Sequence, residues 1–176
     1  MTVITAKDLG ATLKLAHKGP GMVARQNSAL LKIPTKNRIQ IVDITDAVND
    51  ALTAFETQSG IVVVQTMHTT SGILVNEAEK YLMGDIECYL ERLAPQGSGY
   101  KHDETHMRLD CPPDEPKNAD AHLKALLIPT SQSLLYNDGR VNIGKWQRIM
   151  FTEFDGPCPR PNKSGARNVY IRAIGF

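Results

Sequence analysis

The 176-residue chain lacks the features that mark the extreme classes of protein. Its only cysteines, Cys88, Cys111 and Cys158, are odd in number and include no C-x-x-C pair. They build neither a disulfide framework nor a thiolate zinc site, and free thiols suit a reducing compartment, so a cytoplasmic protein is expected. No apolar run approaches 18 residues, which excludes a transmembrane helix. The first residues lack a signal-peptide core, because Lys7, Asp8, Lys14, His17 and Lys18 interrupt it. Surplus charge is missing too. Lys and Arg number 20 against 19 Asp and Glu, a formal +1, far from the basic footprint of a nucleic-acid binder. Internal repeats and low-complexity tracts are absent, which excludes a solenoid.

What remains is an ordinary globular composition, 41% hydrophobic and 22% charged. A chain of this length buries roughly 68–70% of its extended surface and holds a core without staples. Residues 1–27 read as an extension with one helical turn at Ala11–Ala16, and 28–176 read as the domain.

Within that domain, Leu30–Ile33 and the alternating stretch Arg38–Ile44 read as a strand pair around the turn Thr35-Lys36-Asn37. Thr45 or Asp46 is placed to cap a helix whose Val48, Ala51, Leu52 and Phe55 share one face. Ile61–Met67 is a β-branched, largely apolar run interrupted only by Gln65 and Thr66, and it reads as a strand buried on both faces. Asn76 is placed to cap a second helix, lined by Ala78, Leu82, Ile86, Leu90 and Leu93 and stopped by Pro95. Residues 96–117 form a long loop, a kind of connection more often functional than accidental. Asn118 is placed to cap a third helix, Ala119–Ile128. Strands follow at Ser131–Tyr136, Val141–Ile143, Arg148–Phe154 and Asn168–Ile174, with Asn137-Asp138-Gly139 as a tight turn. Strands clustered at the end of the order argue for an α+β fold with a largely antiparallel sheet and about three helices.

Chemistry-bearing residues gather at three places. His68 follows the Ile61–Met67 strand, and the backbone N–H groups of Ser71-Gly72 close behind it are placed to form an anion-binding nest. His102 lies in the long loop and His122 on the apolar face of the third helix, while His17 and His106 read as surface residues. Neutral imidazoles from His68, His102 and His122 would suit zinc or a similar divalent ion, although no pair has the fixed spacing of a metal motif. The second cluster is Gly144-Lys145-Trp146-Gln147-Arg148, followed by Glu153-Phe154-Asp155-Gly156-Pro157 and Arg160. Glu153 or Asp155 is a candidate base or a support for a metal-binding histidine, and Arg160 a candidate partner for an anion. The third is Asn76-Glu77, where helix capping competes with a role for Glu77 in the site.

The strings His68-Thr69-Thr70-Ser71-Gly72, Asn76-Glu77, Tyr100-Lys101-His102-Asp103, Asn118-Ala119-Asp120-Ala121-His122-Leu123, Gly144-Lys145-Trp146-Gln147-Arg148-Ile149 and Glu153-Phe154-Asp155-Gly156-Pro157 occur in that order. Together they resemble the YjbQ family, from about Ser28 to Ile174. The resemblance implies a compact α+β homotrimer with its site near subunit boundaries. It implies His68, His102 and His122 as clustered polar residues, with Glu77, Trp146, Gln147, Glu153 and Asp155 as neighbours. Two departures stand out: Ile128-Pro129 where the family tends to place a glycine, and Cys158-Pro159 between Asp-Gly-Pro and Arg160.

The resemblance also implies a thiamine-phosphate-synthase-like transferase, which joins a pyrimidine pyrophosphate to a thiazole phosphate. Such an enzyme would take small phosphorylated substrates, with His122, Glu153 and Asp155 in the chemistry and Thr69, Ser71, Glu77, Trp146, Gln147 and Arg160 binding substrate. Release of pyrophosphate calls for Mg²⁺ or an arginine clamp, whereas a histidine set suits zinc better. The competing expectation is a trimeric binding module that captures a small anion or a metal ion without turnover.

Overall fold

The computed structural model describes residues 5, 7–10, 12–18, 25–109, 111–112, 114–160 and 165–175. Among these, the strands are β1 (Thr12–Lys18), β2 (Arg25–Ile33), β3 (Gln40–Asp43), β4 (Ser59–Thr66), β5 (Ser71–Glu77), β6 (Ser131–Asn137), β7 (Arg140–Val141), β8 (Gln147–Glu153) and β9 (Arg167–Gly175). The α-helices are α1 (Thr45–Ala54), α2 (Lys80–Leu93) and α3 (Ala119–Ala125). No helix among the described residues is long and apolar enough to cross a membrane.

The strands form two sheets rather than one. The larger runs β1-β2-β9-β4-β6-β7 and the smaller β3-β8-β5, with every paired strand antiparallel. The fold is therefore α+β and antiparallel, as expected. Alternate residues of β2, β4 and β9 (Ala29, Leu31, Val62, Val64, Val169, Ile171) meet Val42, Ile73, Ile149 and Phe151 of the small sheet and the apolar face of α1 in one core. The small sheet's opposite face carries Ile41 and Met150, which pack with Met83 of α2. Each such buried aliphatic or aromatic side chain contributes about 1.5–3 kcal/mol relative to exposure.

Several expectations are corrected. The two early runs are strands, but β2 lies in the large sheet and β3 in the small one. The side chain of Gln40 accepts from the backbone N–H of Lys36 and Asn37 at 2.8 and 3.1 Å, so this turn carries the chain between layers instead of closing a hairpin. The helical turn read at Ala11–Ala16 is strand β1 from Thr12 onward, paired with β2; residue 11 lies outside the described residues. Asn76 caps no helix. It continues β5, and Glu79 caps α2, its carboxylate accepting from the N–H of Tyr81 and Leu82 at 2.9 Å. α3 ends at Ala125, short of the expected Ile128. β4 buries Val62, Val64 and Thr66 but not its other face, because only one layer of this chain covers it. The turn at Asn137-Asp138-Gly139 behaves as read, with φ of 51° at Asp138 and 70° at Gly139, the paired left-handed conformations of a tight hairpin.

The departure at Ile128-Pro129 has a local role. The Pro129 carbonyl accepts from the Ile73 N–H at 2.8 Å, and Ile128 lies against Gly72 so closely that a Cβ there would stand 2.7 Å from its Cγ2.

Candidate functional site

The site grows from the end of β8. Its last residue, Glu153, is fully buried and would be costly to leave charged without a partner. Arg167, at the start of β9, supplies one: Nε and Nη2 donate to the two carboxylate oxygens at 2.5 and 2.8 Å. The Thr35 hydroxyl and the Asp155 N–H complete the shell at 3.1 and 3.0 Å.

Past β8 the chain is clamped onto residues 35–38. Cys158 and Thr35 exchange backbone hydrogen bonds of 3.1 and 2.7 Å, and the Gly156 N–H donates to Arg38 O at 2.9 Å. Only glycine fits at 156, since a Cβ would stand 2.0 Å from Asn37 O. This clamp fixes Asp155. Its Oδ2 accepts from Arg160 Nη2 at 2.6 Å and from Asn118 Nδ2 at 2.8 Å, while Oδ1 faces Arg38 Nη1 at 3.4 Å. Arg38 reaches on to Asp120 at 2.7 Å, Asp120 to the fully buried Lys124 at 2.8 Å, and Lys124 to Glu91 at 2.7 Å. Acids and bases alternate along the whole ladder, so its charges are matched in place.

The long loop delivers the histidines. Asp103 takes over the capping expected of Asn118 and accepts from the Ala119 N–H at 2.9 Å. That bond ties the short 3₁₀ turn Lys101–Asp103 to α3 and sets the His102 ring 5.0 Å from the His122 ring, edge to face. Burial, then the neighbouring His102, lowers the pKa of His122, against the pull of Asp155 and Glu115. His122 is therefore neutral at pH 7. His102 Nε2 is buried without a hydrogen-bond partner among the described residues.

A cleft of about 470 Å³ opens over these groups. Thr69, His122, Asp155, Cys158, Arg160 and Arg167 are among its lining residues. Arg160 reaches Asp155 despite the Cys158-Pro159 insertion and stays about one-third exposed at the cleft.

Other expected members are tied into the fold or lie apart. His68 accepts from the Asn168 N–H through Nε2 at 2.9 Å, a bond that joins the ends of β4 and β9. Burial, then Arg167, lowers its pKa. Ser71 is fully buried and bonds Thr66 at 2.6 Å, so it offers nothing to the cleft. Glu77, Trp146 and Gln147 sit at the other end of β5 and β8, where Glu77 pairs with Gln147 in register. The six-residue step from Gln147 to Glu153 puts them roughly 20 Å away at the usual rise per strand residue. His106 is exposed as expected, and the side chain of His17 lies outside the described residues.

For a metal, no group of three His, Cys, Asp or Glu side chains converges among the described residues. The neighbouring imidazoles of His102 and His122, one with an unused buried nitrogen, fit as part of a site for a nitrogen-seeking ion. Mg²⁺ at Glu153 and Asp155 does not fit, because their oxygens are already taken by arginine, asparagine, threonine and backbone donors.

Sequence reasoning missed Arg38, Thr35, Asn118, Asp120, Lys124 and Arg167. Asp120 and Lys124 had a legible signal, an acid and a base four apart on a helix. The others join segments far apart in the chain and carry no local signature.

Comparisons with known proteins agree with this architecture. A UPF0047 protein of Archaeoglobus fulgidus is 45% identical over 130 residues, covering 74% of this chain and 93% of the relative. The UPF0047 protein YugU of Bacillus subtilis is 31% identical over 147 residues, 82% of this chain and 97% of its own. Among solved structures, a YbjQ-like protein of unknown function from Sulfolobus solfataricus superposes with a TM-score of 0.74 at 25% identity, covering 87% of this chain and 99% of that one. A hypothetical protein from Aeropyrum pernix gives 0.68 at 33% identity, over 88% of this chain and 100% of that one. The family model described as UPF0047 protein YjbQ-like matches residues 29–176, and the chain belongs to that family.

Proposed function

We propose that the His122 cleft is the active site of a transferase for small phosphorylated substrates, of the thiamine-phosphate-synthase type. The observation that carries this reading is the presence of Arg160 and a neutral His122 in one cleft, over a floor of matched charges. In such a reaction the thiazole nitrogen attacks the pyrimidine methylene carbon, the carbon–oxygen bond breaks, and pyrophosphate leaves with the electron pair. Arg160, with Arg167 beside it in the cleft lining, meets the leaving charge, the kind of preorganised donor that contributes most to catalysis. Glu153 and Asp155 act as positioning residues, since their oxygens already hold the two arginines in place. His122 keeps a lone pair for a proton or, with His102, for a divalent ion, which when bound would supply further neutralisation of the leaving group.

The test is pyrophosphate release from the two substrates, with Mg²⁺, with Zn²⁺ and after chelation. Arg160→Ala and His122→Ala are each expected to slow release by roughly 10²–10³. Absence of both turnover and pyrophosphate binding would overturn the reading. The commitment of Glu153 and Asp155 to arginines favours one alternative, a binding module that captures an anion or metal ion without turnover. Binding of pyrophosphate or Zn²⁺ with no release under any metal condition would establish it.

A homotrimer in the cytoplasm belongs to the same reading. Leu135, Ile61 and Ile174 lie side by side in register on the outer face of the large sheet, at 61%, 48% and 44% exposure. An apolar row of this kind suits contact with another copy, and Leu135→Asp is expected to shift the sedimentation mass toward that of one chain.

A further inference from the structure

The reaction proposed above makes no use of the Gly144–Arg148 motif, which builds a second cleft of about 310 Å³. The local chain is organised to turn its tryptophan outward. Gln147 donates its N–H to Gly144 O at 2.9 Å, and its side-chain Oε1 accepts from the Gly144 N–H at 2.8 Å. These two bonds close the turn and leave Lys145 and Trp146 at its apex. Trp146, the sole tryptophan, is 64% exposed.

The charged groups of the cleft are Asp43, Glu77, Glu79, Lys145 and Arg148, three acids against two bases. Asp43 is bound to Arg148 at 2.7 Å, and Glu79 is committed to the start of α2. Among the described residues, the Glu77 carboxylate has no side-chain partner; its neighbour Asn76 bonds only its backbone N–H. Lys145 holds its ammonium 4.7 Å from the centre of the Trp146 ring. An open aromatic ring that already attracts a cation thus lies near an uncommitted carboxylate.

We infer that this cleft binds a small organic cation of the N-alkylated ammonium class, seated on the Trp146 ring beside Glu77. The ring's negative face attracts a cation, and quaternary ammonium groups suit it because their methyl groups also bury apolar surface. The Lys145 ammonium is strongly hydrated and gives up more on desolvation, so it marks the place a less hydrated cation takes. The excess of acids disfavours an anion.

The test uses the full chain and its single indole N–H resonance, titrated with choline and with choline's neutral isostere, in which a tert-butyl group replaces the trimethylammonium. Choline is expected to shift the Trp146 resonance saturably. The isostere should bind about tenfold more weakly, the scale of one exposed-to-buried cation–ring contact. Glu77→Gln should weaken choline binding, and Lys145→Ala should tighten it by freeing the ring; both positions lie at the mouth of the cleft, and an unchanged amide spectrum checks that the variants fold. The inference is overturned by an absent or non-saturable shift, by equal binding of the isostere, or by no effect of Glu77→Gln. It is also overturned if the resonance moves with protein concentration alone, which would assign the cleft to a second copy of the chain.

Discussion

Removing the Arg167 guanidinium tests the physics of the site most directly. In Arg167→Met, Glu153 keeps only the Thr35 hydroxyl and the Asp155 N–H, while its side chain stays fully buried. Arg167 itself is 13% exposed, so water compensates little for the lost partner. Leaving one member of a buried ion pair unmatched costs about 3–5 kcal/mol. For a chain of this size that loss lowers Tm by roughly 6–20 °C, at 2–4 °C per kcal/mol. Urea unfolding followed by circular dichroism gives the free energy, and calorimetry gives Tm. The double variant Arg167→Met/Glu153→Leu should recover more than half of the loss, because it removes the stranded charge along with its partner. A single-variant loss under about 1 kcal/mol, the range of a surface pair, would refute the claim that Glu153 is charged and dependent on Arg167. So would a double variant no better than the single one.

Three further outcomes are expected. Both His68 and His122 have folded pKa values below the usual 6.5, so the unfolded chain binds more protons once the pH falls under that value. The stability they contribute is fully present above about pH 6.5 and is lost as pH drops through the lowered folded values; a Tm series from pH 8 to 5 should show the fall, and a His68→Gln variant with an unchanged slope would contradict it. Gly72→Ala should cost about 1–3 kcal/mol by forcing a Cβ into Ile128, with partial recovery on adding Ile128→Ala, both read by urea unfolding. Tyr136→Phe should cost about 1–3 kcal/mol, because the buried Tyr136 hydroxyl lies 2.6 Å from Thr57 Oγ1 and its removal strands that partner.

Much of the chain's local structure could be read from the residues alone. Period and punctuation located α1 by Val48, Ala51 and Leu52, and located the hairpin at Asp138-Gly139, because amphipathic spacing and left-handed turn residues act within a few positions of one another. Predominantly antiparallel α+β architecture followed from strands clustered late in the order, and the family motifs were legible as strings. His122, Asp155 and Arg160 are candidates in the sequence as polar residues, and they line one cleft.

Only the tertiary structure decided which of those motifs meet. His102 stands beside His122 because Asp103 caps α3 from a distant loop, while His68 is drawn off to the backbone of Asn168. Trp146 and Glu77, neighbours of the histidines in the family pattern, lie at the far end of the same strands, because β5 and β8 run antiparallel and hold Glu77 opposite Gln147. Arg38 and Arg167 carry much of the electrostatics of the site without any sequence signal that they would be paired, whereas Asp120 and Lys124 show theirs only as an acid and a base four apart on α3. Apart from the Asp120–Lys124 pair within α3, their partners come from other elements, and the alternation of charge that makes their burial tolerable exists only once those elements have packed.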